Sequence, residues 1–147
     1  MKKFTKAISL ALALVLSVMA LASCALFAPK PATDPAEAKK ALKENGYTVY
    51  FKDAMLDKGQ EAYLYAYIDG SEHIVITWYD NTIDAKEAYK ELKENLSEMK
   101  KDLKDIKDDI PEKDYKEYKE QLDSYVIGRS GTMVWKASSK DAVKAAR

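Results

Sequence analysis

The chain contains little of what most catalytic and metal sites require. Its 147 residues include one cysteine, Cys24, and one histidine, His73. Enzymes that use a nucleophile or a proton relay usually employ these two residue types, so the sequence offers little for such chemistry. The five glycines form no phosphate-binding loop. We therefore expect neither an enzymatic activity nor a cofactor.

The chain also lacks an excess of charge of either sign. Lysine and arginine together number 24, as do aspartate and glutamate. Three of the lysines precede Cys24, so the chain from that residue onward has 21 basic and 24 acidic residues and a net charge of about −3. Proteins that bind nucleic acids usually present a basic face, and we expect no nucleic-acid partner.

The N-terminal residues have the pattern of a secretory signal. Lysines precede an apolar run from Ala7 to Ala22, whose 16 residues are fewer than the roughly 20 that a membrane-spanning helix needs. The four residues Leu21-Ala22-Ser23-Cys24 resemble the lipobox of bacterial lipoproteins. This resemblance covers residues 1–24. It implies that the signal peptide 1–23 is cleaved and that Cys24 carries a diacylglyceryl group through a thioether.

Lipidation of Cys24 has consequences for location and partners. It implies a lipid anchor at the extracytoplasmic face of the cell membrane, with the lipid bilayer as one partner. It also leaves no thiol for a disulfide, a nucleophile or a metal site. Residues 24–33 contain two prolines and no periodicity, so we expect a lipidated tether that extends at most about 30 Å. An unknown protein, glycan or peptide of the cell envelope is then the expected partner.

The residues after the tether, 34–147, are predicted to form a single α+β domain. The predicted elements are a helix over 34–45, a strand over 47–51, hairpins over 61–79 and 125–136, and a short last helix capped by Ser138-Ser139, with Asp141 completing a capping box from Ser138. We expect an antiparallel sheet of four to five strands with helices mainly on one face.

The C-terminal residues support the same location. The sequence from Gly131 onward, GTMVWKASSKDAVKAAR, resembles the ends of small uncharacterised lipoproteins of Gram-positive bacteria. Those proteins end with a hairpin strand, a cap of small residues and an alanine-rich helix. The charged segment that precedes these residues is longer than the connection usual in that family. The resemblance implies a fold and a location but no activity.

The turn of the first hairpin determines which side chains share a face of the sheet. A two-residue turn at Asp69-Gly70 would mix the tyrosines of one strand with the isoleucines of the other. A three-residue turn, with Gly70 as a left-handed bulge, aligns Ala62, Leu64 and Ala66 with Ile74, Ile76 and Trp78, and we favour it. The opposite face then carries the candidate ligand-binding residues Tyr63, Tyr65, Tyr67, His73, Thr77 and Tyr79.

Tyrosine is the residue type that points most directly to binding. The chain has ten tyrosines and three phenylalanines. Tyrosine joins an apolar ring to a hydrated hydroxyl and loses little entropy when it is fixed, so a tyrosine-rich face can stack against sugars, peptides or lipid headgroups. The alternative is that the helices of the charged segment cover this face and make the tyrosines ordinary half-buried packing residues.

Residues 83–123 are predicted to be helical and highly charged. Of the 38 residues from Lys86 to Asp123, 23 are charged, and the two signs are interspersed. Apolar residues recur at spacings of three and four over 89–110, which is a heptad stripe. A helical hairpin broken at Pro111 and a single helix followed by a disordered loop are equally compatible with this pattern. The stripe is also suited to pairing two chains as a homo-oligomer.

Three groupings of polar residues are better explained by structure than by chemistry. Asp69, Glu72 and His73 surround a turn, and successive strand residues point to opposite faces, so they do not suit a metal site. The aspartates at 102, 105, 108 and 109 lack the spacing of a calcium loop, and Gly128–Gly131 lacks the pattern of a nucleophile elbow.

These observations favour one function and leave two alternatives. We expect a membrane-anchored, extracytoplasmic lipoprotein that acts as a non-enzymatic binding domain. The first alternative is a structural envelope protein that self-associates through the stripe over 89–110. The second, from a different class, is a small metal-dependent hydrolase.

Overall fold

The computed structural model describes residues 28–54, 56–70 and 72–147. The predicted signal peptide and Cys24 lie outside these residues. The described elements are α1 (Pro35–Glu44), β1 (Thr48–Lys52), β2 (Gln60–Ile68), β3 (Glu72–Tyr79), α2 (Thr82–Asp105), α3 (Glu112–Ser124), β4 (Val126–Ser130), β5 (Met133–Ala137) and α4 (Lys140–Ala145).

The five strands form one antiparallel sheet in the order β1-β2-β3-β5-β4. Each of the two hairpins pairs its own strands, and β5 joins the hairpins by pairing with β3. Together with the four helices, this sheet confirms the predicted α+β fold.

The register of the first hairpin places its aliphatic residues and its tyrosines on opposite faces of the sheet. Leu64 lies opposite Ile76, and Ala66 lies opposite Ile74, as the three-residue turn requires. Asp69 and Gly70 both have positive φ, 45° and 69°, and Gly70 adopts this conformation without the steric cost of a side chain. The prediction for this turn is confirmed.

The aliphatic face of the sheet forms the main core together with α1 and α4. Leu64, Ile74 and Ile76 are fully buried and belong to the same apolar cluster as Leu42 of α1 and Val143 of α4. Burial of each such side chain contributes about 1.5–3 kcal/mol. The two short helices are held by the sheet rather than by their own length, since isolated helices of this size are marginal in water.

The start of α4 differs from the sequence prediction. Ser139 is its N-cap and accepts a hydrogen bond from the Ala142 N–H at 3.1 Å, so the predicted capping box from Ser138 to Asp141 is wrong. Ser138 still continues the strand pairing: its N–H donates to the carbonyl of His73 at 2.9 Å, and its hydroxyl accepts from the His73 N–H at 2.9 Å. The helix therefore begins one residue later.

The residues immediately before α1 are packed against the domain. Pro31 is fully buried, and the Ala32 N–H donates to the Ala146 carbonyl at 2.7 Å. The Trp78 indole donates to the Thr33 carbonyl at 2.7 Å. These contacts attach the chain to the end of α4 and to β3, so the packed domain begins about three residues earlier than the boundary predicted at residue 34.

The charged segment folds as a helical hairpin, which is one of the two arrangements expected from sequence. The first part of α2 packs over β3, β5 and β4, on the face opposite α1 and α4. The helices therefore lie on both faces of the sheet, and the prediction that they lie mainly on one face is wrong. The second part of α2 pairs with α3, where Leu103 and Leu122 are buried. The ion pair between Lys100 Nζ and Asp123, at 2.9 Å, links the two helices.

Candidate functional site

The outer face of the sheet, which carries the predicted ligand-binding residues, is divided into two halves. The sheet contacts of α2 concentrate on β3, β5 and β4, where Thr77 is 9% exposed and Val134 is 2% exposed. On β1, at the other edge, Tyr50 is 58% exposed. Helix α2 therefore covers the outer face over β3, β5 and β4 but leaves it exposed at β1.

Three tyrosines form a cluster on the open half. The ring centroids of Tyr65 and Tyr67 are 5.7 Å apart, and each lies 6.3 Å from the ring of Tyr50. A linear stack would make one of these distances twice the others, so the rings form a triangle. Their planes differ by only 16° to 29°. Tyr50, Tyr65 and Tyr67 are called the tyrosine cluster below.

Two tyrosines of this region, Tyr50 and Tyr63, have raised pKa values. The hydrogen bond between Tyr50 and Tyr67 raises the pKa of Tyr50 above its ordinary value of 10. Burial, followed by the nearby Tyr65, raises the pKa of Tyr63 in the same direction. The cluster presents aromatic rings with hydroxyl groups, which suits a ligand with both apolar and hydroxyl-bonding surface.

A groove adjoins the tyrosine cluster on the covered half. It encloses about 270 Å³ between the sheet and α2 and is lined by Val75, Thr77, Tyr79, Ala88, Glu91, Leu92, Asn95, Val134, Trp135 and Lys136. Tyr65 lies directly opposite Val75, and Tyr63 lies opposite Thr77. Because directly opposed residues on one face have Cβ atoms about 5 Å apart, the cluster and the groove form one continuous surface.

His73, another predicted ligand-binding residue, is engaged within the chain. Its Nε2 lies 3.2 Å from the Tyr125 hydroxyl, and the two rings meet edge to face at 5.6 Å. Lys136 Nζ lies 4.8 Å from the centroid of the Tyr125 ring. Burial, and then the charge of Lys136, lower the pKa of His73 below 6.5, so the ring is neutral at pH 7. His73 thus joins β3 to the residue before β4.

The polar residues near the first hairpin do not converge. Glu72 lies toward the aliphatic face, where it accepts a hydrogen bond from the Ser139 hydroxyl, whereas His73 contacts Tyr125. Within residues 28–54, 56–70 and 72–147, no three His, Cys, Asp or Glu side chains are grouped to hold a metal ion.

The sequence prediction of this surface omitted one of its most exposed residues, Tyr50. The alternation along Thr48, Val49 and Tyr50 was available as a signal, but it does not state which face of which neighbouring strand Tyr50 joins. The pairing of Tyr50 with Tyr65 supplies that information. Of the six predicted residues, Tyr63, Tyr65 and Tyr67 lie on β2, Thr77 and Tyr79 line the groove, and His73 is bonded to Tyr125.

Comparisons of the chain with protein families, with curated proteins and with solved structures found no match. Among the helices that the structure describes, none combines the length and the apolar character needed to cross a lipid bilayer.

Proposed function

We propose that the protein is a membrane-anchored, extracytoplasmic lipoprotein whose domain binds a ligand without catalysing a reaction. The lipobox resemblance at Cys24 supports the location. The observation that carries the binding role is the open tyrosine cluster, which continues into the groove beside α2. Clustered aromatic rings on an exposed face are a common feature of interaction sites.

The chemistry of this surface favours a polar chain molecule of the cell envelope, a glycan or a peptide. The rings of the cluster offer apolar faces, and the Tyr79 hydroxyl and the side chains of Glu91 and Asn95 offer hydrogen-bonding groups along the groove. Tyrosines also bind at low entropic cost, because each has only two side-chain torsions to fix. A ligand that presents apolar faces and hydroxyl or amide groups in alternation fits both parts.

The short distance between the domain and position 24 supports a ligand close to the membrane. The packed domain begins at Pro31. The six residues 25–30 extend at most about 20 Å. A domain held at that distance meets partners near the bilayer surface, where a ligand in the envelope is concentrated for it.

Site-specific photocrosslinking in intact cells tests the binding role. A photoreactive phenylalanine analogue replaces Tyr50 in the full chain, and a matched chain carries it at Tyr118 on α3, whose exposure of 52% is close to the 58% of Tyr50. We expect a discrete adduct from position 50, and its loss when Tyr65 and Tyr67 are both changed to serine. Equal adducts from positions 50 and 118, or none from position 50, would contradict the proposal.

The location has its own test. Mass spectrometry of the protein isolated from membranes should find residue 24 as the first residue with a diacylglyceryl group on its sulfur, and Cys24→Ser should release the protein from the membrane fraction. An intact leader with an unmodified Cys24 would remove the proposed location. The crosslinking result at position 50 would then still report on binding.

Self-association is the second candidate function, and it rests on the exposed part of the heptad stripe. Met99 is 43% exposed and Ile106 is 45% exposed, whereas Leu103, between them, is buried at the contact with α3. Sedimentation of the full chain in nonionic detergent should show a dimer that dissociates in Met99→Glu/Ile106→Glu. A monomer at every protein concentration would reject this function.

A further inference from the structure

The cleft between α2 and α3 concentrates positive charge. Two adjoining cavities of about 180 Å³ and 610 Å³ share Tyr115 and Lys119 in their walls. Five lysines line them: Lys100, Lys104, Lys107, Lys116 and Lys119. We call this region the lysine cleft; none of its lining residues belongs to the tyrosine cluster.

Helical spacing explains why the lysines face one side. Lys100 and Lys104 are four residues apart and share a face of α2, whereas Asp102 and Asp105 lie on the opposite face, and Lys107 lies in the turn directly after the helix. The segment 86–123 as a whole has 13 acidic and 10 basic residues. The cleft has five lysines and only three carboxylates, from Asp108, Glu112 and Asp123. The fold therefore turns an acidic segment into a locally basic cavity.

The ion pairs in the cleft leave positive charge uncompensated. Lys100 and Lys119 share Asp123, at 2.9 and 2.8 Å, and these two lysines lower the pKa of Asp123 to about 2. Lys116 pairs with Glu112 at 2.7 Å. Within the described part of the chain, Lys104 and Lys107 have no carboxylate within 4 Å, so their ammonium groups are available to a ligand.

We propose that the lysine cleft binds a phosphate group. Each lysine ammonium is a compact charge with three donors, and several of them around one cavity suit the distributed acceptors of phosphate. Leu103, Leu122 and Tyr115 add apolar wall, which suits a phosphate joined to an organic body. The phosphate belongs either to the headgroup of an anionic phospholipid or to a small phosphate in solution.

Lysine footprinting tests the proposal on the full chain. The rate of acylation of each lysine is measured by mass spectrometry, first in nonionic detergent with inorganic phosphate or with chloride at equal ionic strength. It is then measured in vesicles of phosphatidylcholine alone or mixed with phosphatidylglycerol. We expect acylation of Lys104 and Lys107 to slow severalfold, while Lys86 and Lys101, which do not line the cleft, change little. Chloride is the control for general screening.

The pattern of protection identifies the source. Slowing by inorganic phosphate supports the site with a small phosphate as ligand. If acylation slows only in vesicles that contain phosphatidylglycerol, the result supports a phosphate site whose ligand is a phospholipid headgroup. Read at Lys116 and Lys119, which line the same cleft, the ligand concentration for half-maximal protection should rise about tenfold in K104Q/K107Q, because charge-assisted hydrogen bonds are lost. K86Q/K101Q should leave that concentration unchanged. No protection in either arm, or equal effects of the two variants, would overturn the proposal.

Discussion

The two halves of the outer sheet face carry the same kind of sequence but have different surroundings. In both, residues of the outer face alternate along each strand with residues that face the aliphatic core. Over β3, β5 and β4 this face is packed under α2, and Val134 is 2% exposed, whereas over β1 Tyr50 is 58% exposed. Alternation determines which residues share a face, and the course of one helix determines which of them remain available to a ligand.

The largest difference in the free energy of unfolding should come from placing an aspartate on each half of the outer face. Val134→Asp buries a carboxylate under α2 and should cost more than about 3 kcal/mol in the free energy of unfolding. Tyr50→Asp leaves its carboxylate in water and should cost less than about 1 kcal/mol. Urea unfolding of the full chain in nonionic detergent, followed by circular dichroism, measures both. Similar losses for the two variants would mean that the halves are not different.

The next largest effect tests whether the packing of α3 against α2 is needed for α2 to cover the sheet. Leu103 is buried where α2 meets α3, so Leu103→Ala should lower the free energy of unfolding by about 2 kcal/mol. The matched change Met99→Ala, at an exposed position on the same helix, should cost less than about 0.5 kcal/mol. Nitration of Tyr79 should remain slow in both variants, because the sheet contacts of α2 lie in its first part. Rapid nitration of Tyr79 in Leu103→Ala would show that α3 holds the cover in place.

A smaller effect should appear at acidic pH through His73. Its pKa in the folded chain is lowered by burial and by Lys136, so the unfolded chain binds the proton more readily. The lowered pKa therefore reduces the free energy of unfolding at acidic pH. This loss is absent above about pH 6.5, where His73 is neutral in both the folded and the unfolded chain, and it grows as the pH falls toward the pKa of His73 in the folded chain. His73→Gln should remove this part of the decline while other groups titrate as before. Identical pH profiles for the two proteins between pH 5 and 7 would contradict the assignment.

The smallest effect concerns the tyrosine cluster itself. The hydrogen bond to Tyr67 is the main cause of the raised pKa of Tyr50. Tyr67→Phe removes that hydroxyl, and the pKa of Tyr50 should move back toward 10, as followed by ultraviolet titration of the phenolate. Tyr63→Phe is the control, because Tyr63 is not among the causes of the shift in Tyr50. An unchanged pKa of Tyr50 in Tyr67→Phe would show that the two hydroxyls do not interact.

Local signals in the sequence were sufficient for the fold class and for the face assignments within each hairpin. Turn chemistry at Asp69 and Gly70 and the alternation of aliphatic residues correctly aligned Leu64 with Ile76. The start of α1 likewise depends only on neighbouring residues, because the Asp34 side chain accepts from the N–H groups of Ala36 and Glu37.

Contacts between distant segments were not available from the sequence. His73 and Tyr125 meet because β5 pairs with β3, and no local pattern encodes that pairing. Tyr50 joins Tyr65 only through the pairing of β1 with β2, across a connection of seven residues whose turn chemistry does not specify register. The candidate site was predicted as one face, and its division depends on where α2 crosses the sheet.

Nitration of tyrosines in two states of the protein is the most direct test of whether the open half of the sheet binds a ligand. The purified full chain and the same chain in isolated cell membranes are treated with tetranitromethane, and each tyrosine is quantified by mass spectrometry. We expect Tyr50 to react readily in the purified protein and to be protected in membranes, while the similarly exposed Tyr118 reacts in both and Tyr79 is slow in both. Equal reactivity of Tyr50 in the two states would contradict the claim that the open half of the sheet is a binding surface.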